Sequence, residues 1–268
     1  MSSDSSFAGS IPELYDTVLV PMMFLDYAED VASVVAAAKP HDVLEIAAGT
    51  GAVTRALHRL LPTGQITATD LNPPMLDRAA EVLPPSDRVR WMLADAQDLP
   101  CEDADFDAVM CQFGVMFFPD RPRAYAEAHR VLRPGGRFVL ASWGRIEDNE
   151  VTLAVDDALA TLFPDDPPQF LRRTPFGYTD LDLIREDLEG AGFTSVDARW
   201  AEHRSRPTSA HDIAVAHCQG TPIANILAER QMDSAHAKAQ VAGVLEERLG
   251  PEPFSGRLSA SVVIATRA

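Results

Sequence analysis

A glycine-containing loop and two acidic residues are the first features of this 268-residue sequence that could bind a ligand. Residues 43–51, VLEIAAGTG, have the form of a buried strand that runs into a tight turn and then a helix. Such a turn presents backbone N–H groups at a helix amino terminus. Asp70 follows nineteen residues after Gly51, where a carboxylate at a strand end accepts ribose hydrogen bonds in nucleotide-binding folds. Together the loop and Asp70 predict a nucleoside site.

Charge at this loop helps to choose between nucleoside ligands. A dinucleotide would place its pyrophosphate on the loop, where the carboxylate of Glu45, at the end of the strand beneath, would repel it. The third glycine of the dinucleotide fingerprint is Thr54 here. A carboxylate favours an ammonium or sulfonium group, so the loop suits a cationic, phosphate-free nucleoside. An NAD(P)-dependent oxidoreductase is the alternative, because it would share the same strand, loop and helix.

A parallel sheet is needed to bring these residues to one edge. Apolar, β-branched runs alternate with helical patterns, which is typical of a parallel sheet flanked by helices. Strands are predicted at 43–47, 65–69, 89–93, 106–111, 137–142, 194–201 and 259–266. Helices are predicted at 52–61, 74–83, 121–132, 180–191, 209–219 and 222–249, with two helical pieces before the first strand, divided near Pro21. Asn72 is expected to cap the helix in whose first turn Pro73 lies.

Composition limits the class of protein. With 46% apolar residues, 24% charged residues and a net charge of −17, the chain is globular and repels phosphodiester backbones and anionic lipids. We therefore expect no nucleic-acid partner. The three cysteines form no CxxC pair, the amino terminus lacks a signal-like region, and no apolar run is long enough for a membrane span. These features predict a cytoplasmic protein with no membrane span, and no motif indicates a metal.

Several blocks of sequence, in order and at the expected spacing, resemble the class I S-adenosylmethionine-dependent methyltransferases. The branch they resemble most is that of the ubiquinone/menaquinone-biosynthesis C-methyltransferases. The blocks are VLEIAAGTG (43–51), TATDLNPPML (67–76), LADAQDLP (93–100), FDAVMCQFGVMFFPD (106–120) and HRVLRPGGRFVLASW (129–143). Ala47 stands where glycine is commoner in the family. The resemblance covers about residues 40–143, and the rest of the chain has no signature of that kind.

The resemblance implies a fold and a domain plan. The fold is α/β, with a Rossmann-like seven-stranded, mostly parallel sheet, helices on both faces, an antiparallel last strand, and N-terminal helices and a helical insertion as a cap. A single methyltransferase domain would cover residues 1–268. Its parts would be cap helices at 1–40, a cofactor-binding core at 41–143, substrate-side insertions at 144–260 and a closing strand at 261–268.

The resemblance also implies the cofactor S-adenosyl-L-methionine, with S-adenosyl-L-homocysteine as product. Glu45 would favour the ammonium group, Asp70 would hold the ribose hydroxyls, and Asp95 would accept from the adenine amino group. The full set of residues implied to bind the cofactor is Tyr15, Glu45, Ala47, Ala48, Gly49, Gly51, Asp70, Leu71, Met75, Asp95, Ala96, Gln97, Cys111 and Gln112.

The acceptor is expected to be a small apolar or aromatic molecule that receives the methyl group by in-line displacement. This hypothesis rests on bulky apolar residues that could wall a pocket, namely Met23, Phe113, Phe117, Trp143 and Phe176. No catalytic residue is assigned, although His203, His211 or His217 could supply a base. A non-catalytic protein that binds S-adenosylmethionine is a further alternative, and the sequence leaves open whether the chain forms a homodimer.

Overall fold

The computed structural model describes residue 7 and residues 9–268, and their contacts divide the chain into two compact units. We call them the sheet unit and the helical unit. The sheet unit comprises Leu25–Trp143, Tyr178–Ala201 and Ala260–Ala268. The helical unit takes its described residues from Met1–Phe24, Gly144–Gly177 and Glu202–Ser259. The four ranges of the single-domain plan stay a prediction.

A seven-stranded sheet forms the centre of the fold. Its strands are β1 (Asp42–Glu45), β2 (Gln65–Asp70), β3 (Val89–Leu93), β4 (Phe106–Gln112), β5 (Leu132–Trp143), β6 (Ser195–Arg204) and β7 (Arg257–Thr266). They lie in the order β3-β2-β1-β4-β5-β7-β6. The pairs from β3 through β5 are parallel, whereas β7 is antiparallel to β5. The predicted sheet, with its antiparallel last strand, is confirmed.

The strand order reverses at the centre of the sheet. From β1 the chain moves outward to β2 and β3, and then returns to β4 on the other side of β1. Val43 and Leu44 of β1 and Val109 and Met110 of β4 are fully buried, as expected for central parallel strands covered on both faces. In open α/β sheets, ligands bind at the carboxyl ends of the strands where the order reverses. The edge formed by the carboxyl ends of β1 to β4 is therefore the place for a site.

Five helices of the sheet unit surround these strands. They are α2 (Leu25–Ala37), α3 (Ala52–Leu60), α4 (Pro73–Val82), α5 (Arg121–Val131) and α8 (Leu181–Gly190). Pro73 opens α4, as predicted, because its missing N–H would lack a partner in the first turn in any case. Asn72 occupies the N-cap position of α4, as predicted, but its side chain makes no capping hydrogen bond. Its side chain turns to Asp70 instead, with Nδ2 3.3 Å from Oδ1.

The helical unit contains the remaining described helices. They are α1 (Ile11–Leu14), a π-helix at Tyr15–Phe24, α6 (Glu150–Leu162), α7 (Phe170–Arg173), α9 (Ala210–Gly220), α10 (Ile223–Glu229) and α11 (Ser234–Leu249). The single helix predicted at 222–249 is two helices. Gln231 has a left-handed φ of 54°, and Asp233 caps α11 by accepting from the N–H of His236. Among the described residues, no helix is both long and apolar enough to cross a bilayer.

Pro21 lies inside a helix rather than between two. The π-helix continues through it and ends at Phe24, so the predicted division near Pro21 is wrong. In an α-helix, proline lacks the N–H and its ring clashes with the carbonyl four residues before. The wider turn of a π-helix, with its i→i+5 hydrogen bonds, accommodates that ring.

Candidate functional site

The loop after β1 is tied to β2 by its own backbone N–H groups. The N–H of Ala48 donates to the carbonyl of Thr69 at 2.8 Å, and that of Gly49 donates to Asp70 Oδ2 at 2.8 Å. The N–H of Gly51 donates back to the carbonyl of Ala48 at 2.9 Å. We expected this loop to present such groups to a ligand, but these three already have protein acceptors. They are therefore not available to cradle a phosphate, which agrees with the choice of a phosphate-free ligand.

The same loop turns sharply and packs closely against the loop that follows β4. Ala47 and Gly49 have left-handed φ values of 54° and 57°, and for alanine this conformation costs about 1 kcal/mol. Gly114, just after β4, lies against the loop. A Cβ on Gly114 would stand 2.5 Å from the Cβ of Ala47 and 2.7 Å from Sγ of Cys111. Only glycine fits there, and its absence of a side chain brings the loops after β1 and β4 together.

Glu45, the last residue of β1, is fully buried beneath the loop. Its Oε2 accepts from the hydroxyl of Thr54 at 2.5 Å, so the two residues that depart from the dinucleotide fingerprint bond to each other. Burial raises the pKa of Glu45 to about 8. The protonated form of Glu45 therefore predominates at neutral pH, rather than the charged carboxylate expected from the sequence.

Asp70, the last residue of β2, is also buried. Its Oδ1 accepts from the N–H of Asn72 at 2.8 Å, and its Oδ2 accepts from Gly49. Burial raises the pKa of Asp70, while the N–H groups of Asn72 and Gly49 oppose that rise. Each carboxylate oxygen has two lone pairs. Oδ1 also accepts from Nδ2 of Asn72, so Oδ2 is the oxygen that can accept a further bond from a ligand. Met75 of α4 approaches the same loop, since its Cε lies 3.5 Å from where a Cβ on Gly49 would stand.

The loop after β3 holds the next predicted residues. Asp95 Oδ1 accepts from the backbone N–H of Gln97 at 2.9 Å and from its Nε2 at 3.1 Å. Ala96 between them is buried. Gln97 Oε1 in turn accepts from the N–H of Asp120 at 2.9 Å. Leu71, after β2, is partly buried. The structure thus gives the 95–97 segment one defined conformation.

An aromatic cluster lies at the carboxyl ends of β4 and β5. Phe113 has a left-handed φ of 53°, and its ring stacks on Trp143 with centroids 3.8 Å apart. Tyr27 meets both rings edge-on, at 5.3 and 5.4 Å, and sequence reasoning missed it because α2 carries no motif. Cys111 is fully buried and burial raises the pKa of its thiol, so its environment is that of a small wall residue. Gln112 and Phe117 are partly buried.

Three predicted residues lie in the helical unit. Tyr15 is partly buried, and its ring centroid is 5.3 Å from that of Phe24. Met23 and Phe176 are buried. The contacts predicted for these three with cofactor or acceptor stay predictions.

Thr50 is a polar residue of the loop that the sequence prediction left out. It is 1% exposed, and its hydroxyl has no hydrogen-bond partner among the residues that the structure describes. A buried hydroxyl without a partner is costly unless a ligand supplies one. Its position between two glycines of the loop was the signal that could have identified it. Among all the residues that the structure describes, no group of three or more His, Cys, Asp or Glu side chains could hold a metal ion.

Comparisons with known proteins agree with this arrangement. Residues 44–140 match a family described as a methyltransferase domain. The chain is 31% identical to the ubiquinone/menaquinone biosynthesis C-methyltransferase UbiE of Saccharophagus degradans over 166 residues, 57% of this chain and 67% of that protein. It is 30% identical to a demethylmenaquinone methyltransferase of Staphylococcus aureus over 171 residues, 58% and 69% of the two chains. The chain belongs to the class I S-adenosylmethionine-dependent methyltransferases.

Solved structures show the same fold. The methyltransferase matches phosphoethanolamine N-methyltransferase 2 of Haemonchus contortus, in complex with S-adenosyl-L-methionine, with a TM-score of 0.60 at 14% identity over 97% of this chain and 56% of that one. It matches the YcgJ protein of Bacillus subtilis with a TM-score of 0.58 at 18% identity, over 89% and 98%. This methyltransferase is therefore an enzyme whose cofactor is S-adenosyl-L-methionine, and neither alternative drawn from the sequence is favoured.

The residues at the sheet edge fit that cofactor chemically. The site offers buried carboxyl groups at Glu45 and Asp70, which suit an ammonium group and vicinal hydroxyls. It also offers the unpartnered hydroxyl of Thr50. The engaged N–H groups of the loop leave no phosphate cradle at Ala48, Gly49 or Gly51, and this cofactor carries no phosphate.

A matched pair of glycines tests how closely the methyltransferase loop is packed. Gly51 and Gly135 both have a φ of 81°, but a Cβ on Gly51 would stand 2.5 Å from Cη2 of Trp91, whereas a Cβ on Gly135 would meet nothing within 4 Å. Gly135→Ala is expected to cost about 1 kcal/mol through backbone strain alone. Gly51→Ala should cost about 1 to 3 kcal/mol more, because Trp91 must shift. Urea unfolding measures both, and equal losses would contradict the packing described.

Proposed function

We propose that this methyltransferase transfers a methyl group to a small, largely apolar or aromatic molecule. The observation that carries the proposal is the aromatic cluster of Tyr27, Phe113 and Trp143 at the end of β4 and β5. Ring faces and edges favour apolar, planar partners. The left-handed φ of Phe113 also supports the proposal, because residues with a strained backbone are concentrated at functional sites.

The names of the relatives point in the same direction. One is named for ubiquinone and menaquinone biosynthesis and the other for demethylmenaquinone. Quinones are planar and largely apolar, which suits contact with aromatic rings. We take this class, rather than one named quinone, as the acceptor.

For the amino acid and ribose parts of the cofactor we propose the following contacts. The Ala47–Gly51 backbone lines the methionine part, with Glu45 near the ammonium group. An approaching ammonium would restore the charged form of Glu45, because an opposite charge lowers a carboxyl pKa. Asp70 accepts from the ribose hydroxyls, with Oδ2 offering the lone pair that its bond from Gly49 leaves over.

The adenine would lie between the ends of β2 and β3. Leu71 and Met75 would pack on its face. Asp95 would accept from the amino group, the Ala96 N–H would donate to a ring nitrogen, and Gln97 would lie beside them. Cys111 and Gln112 would border the place where sulfonium and acceptor meet.

Bound S-adenosylmethionine supplies an electrophilic methyl group on a positively charged sulfur. The chain's own contribution is to align the acceptor with that methyl group in line and to exclude water. No base is assigned. His217, which the sequence offered as one, is buried, its Nδ1 lies 2.9 Å from the carbonyl oxygen of Ile213, and burial lowers its pKa to about 4, so it is neutral at pH 7.

A transfer assay tests the proposed acceptor class. The protein is incubated with methyl-labelled S-adenosylmethionine and a cell extract, and then with phenols, hydroquinones, amines and RNA separately, and products are identified by mass spectrometry. We expect label in apolar aromatic compounds. Label confined to polyamines or nucleic acid would overturn the acceptor class, and binding without any transfer would overturn the activity.

A pair of buried phenylalanines sharpens the assay. Phe113→Leu should raise the acceptor KM by about tenfold, the loss expected for one aromatic contact, with cofactor affinity unchanged. Phe193→Leu is the control, because Phe193 is equally buried but packs on Phe138 and His129. Equal effects of the two substitutions on KM would remove the aromatic cluster from the acceptor site.

A further inference from the structure

One face of α5 is bonded along its length to the loop that follows β3. Residues 120, 123, 127 and 130 provide these bonds, counting Asp120 at the N-cap position. Their spacing of three, four and three residues places them on one side of a helix. The loop they hold runs from residue 95 to residue 103, and its first part is the segment proposed to contact adenine.

Arg130 holds the far part of this loop with its whole guanidinium group. Nε and Nη2 donate to the two carboxylate oxygens of Glu127, each at 2.8 Å. Nη1 donates to the carbonyl of Cys101 and to Asp103 Oδ1 at 2.8 Å, and Nη2 donates to the carbonyl of Leu99 at 3.0 Å. These five acceptors match the five N–H donors of arginine. A lysine could not reproduce this planar fork.

Glu127 completes the clamp on Leu99. Its Oε2 accepts from the N–H of Leu99 at 2.8 Å, while the carbonyl of Leu99 accepts from Arg130. Both backbone groups of one buried loop residue are thus bonded to the same ion pair. The hydrogen bond from Arg130 is the main reason why the pKa of Glu127 is lowered.

The near part of the loop is held by the first turn of α5. The N–H of Asp120 donates to Gln97 Oε1 at 2.9 Å, and Arg123 Nε donates to the carbonyl of Gln97 at 2.7 Å. Gln97 also donates to Asp95 from its backbone and its side chain. The orientation of the Asp95 carboxylate is therefore linked through Gln97 to the helix, and the same helix fixes Leu99 two residues later.

We propose that Arg130 and Glu127 are positioning residues for the cofactor: without touching it, they hold the 95–103 loop in the conformation that presents Asp95 to the adenine. The inference rests on the proposed adenine contact of Asp95, Ala96 and Gln97. Looser bonding of Leu99 leaves the protein folded but lets the Asp95 segment sample other conformations. Affinity then falls with the population of the competent one.

Arg130→Lys and Glu127→Gln test this role. For each, the dissociation constant of S-adenosylhomocysteine is measured by calorimetry, well below the thermal transition of the variant. Arg130→Lys should weaken binding about tenfold, the weight of one misplaced hydrogen bond, and Glu127→Gln should weaken it less because its amide oxygen still accepts. Hydrogen exchange in peptides covering 95–103 should become faster in both variants.

Arg133→Lys is the matched control. Arg133 also bridges two carboxylates, with Nη1 2.9 Å from Asp42 Oδ2 and 2.7 Å from Asp107 Oδ1, but it does so at the amino ends of β1 and β4. The Arg133→Lys substitution should lower thermal stability while leaving the affinity for S-adenosylhomocysteine and the hydrogen exchange of residues 95–103 unchanged. If Arg130→Lys behaves like this control, the positioning role is wrong. If Asp95→Ala itself leaves the affinity for S-adenosylhomocysteine unchanged, the proposed adenine contact is wrong and this inference is wrong with it. The labelled-methyl assay tests the activity and the acceptor class independently of that result.

Discussion

Replacing Asp70 with alanine should weaken the binding of S-adenosylhomocysteine by about 2 to 3 kcal/mol, or roughly 30- to 150-fold. Two losses contribute to this effect. The ribose hydroxyls would lose a charged acceptor, and the N–H of Gly49 would lose the oxygen that holds the loop closed. Asp70→Asn should fall between the parent and the alanine variant, because an amide oxygen can keep one of those bonds without the charge.

Asp87→Ala serves as the control for charge. Asp87 is exposed in the turn before β3, at the opposite end of the strands, and its substitution removes the same unit of negative charge. Calorimetry should show an unchanged dissociation constant for this variant. The assignment of Asp70 to the ribose fails if Asp70→Ala and Asp87→Ala bind S-adenosylhomocysteine equally well.

Replacing Glu45 with glutamine should change how stability depends on pH. The pKa of Glu45 is about 8 in the folded protein and 4.5 ordinarily, so between these values the folded state binds more protons than the unfolded state. Its contribution to stability is fully present below pH 4.5, declines as pH rises from 4.5 to 8, and then stays constant. Glutamine has no proton to lose and can still accept from Thr54, so Glu45→Gln abolishes this decline.

The size of the effect follows from the shift in pKa. Each pKa unit corresponds to about 1.4 kcal/mol. The free energy of unfolding of Glu45→Gln minus that of the parent should therefore be up to about 4 kcal/mol larger at pH 8.5 than at pH 4.5. Urea unfolding at pH 4.5, 6.5 and 8.5 gives that difference directly, with other titrating groups cancelling between the two proteins. Glu102→Gln, which removes the same charge from an exposed position, is the control for these unfolding measurements. A constant difference across the three pH values for Glu45→Gln would refute the shift.

Local patterns predicted the elements around the cofactor well. The run of buried apolar residues before Gly49 specifies β1, and Pro73 marks the start of α4, where a proline ring fits. Gly192 follows the helix predicted at 180–191 and has a left-handed φ of 103°, the conformation in which glycine commonly ends a helix. Such signals lie within a few residues of each other and need no tertiary contact.

Tertiary contacts decided the features that sequence reasoning missed. Pro21 was read as a break because α-helical geometry excludes it, and only the packed π-helix reveals the alternative. Tyr27 and Trp143 are more than a hundred residues apart in the chain, so their edge-on contact has no local signature.

The three tryptophans lie in three different environments, so the intrinsic fluorescence of the protein can report on ligand binding. Trp143 is buried against Phe113, the indole N–H of Trp91 is bonded to the carbonyl of Leu83, and Trp200 is 50% exposed. A soluble quencher such as acrylamide therefore reaches Trp200 first. The remaining emission comes from Trp91 in β3 and Trp143 in β5. A ligand that displaces the ring of Phe113 should therefore change the wavelength or intensity of the intrinsic fluorescence, and no dye has to be attached to detect it.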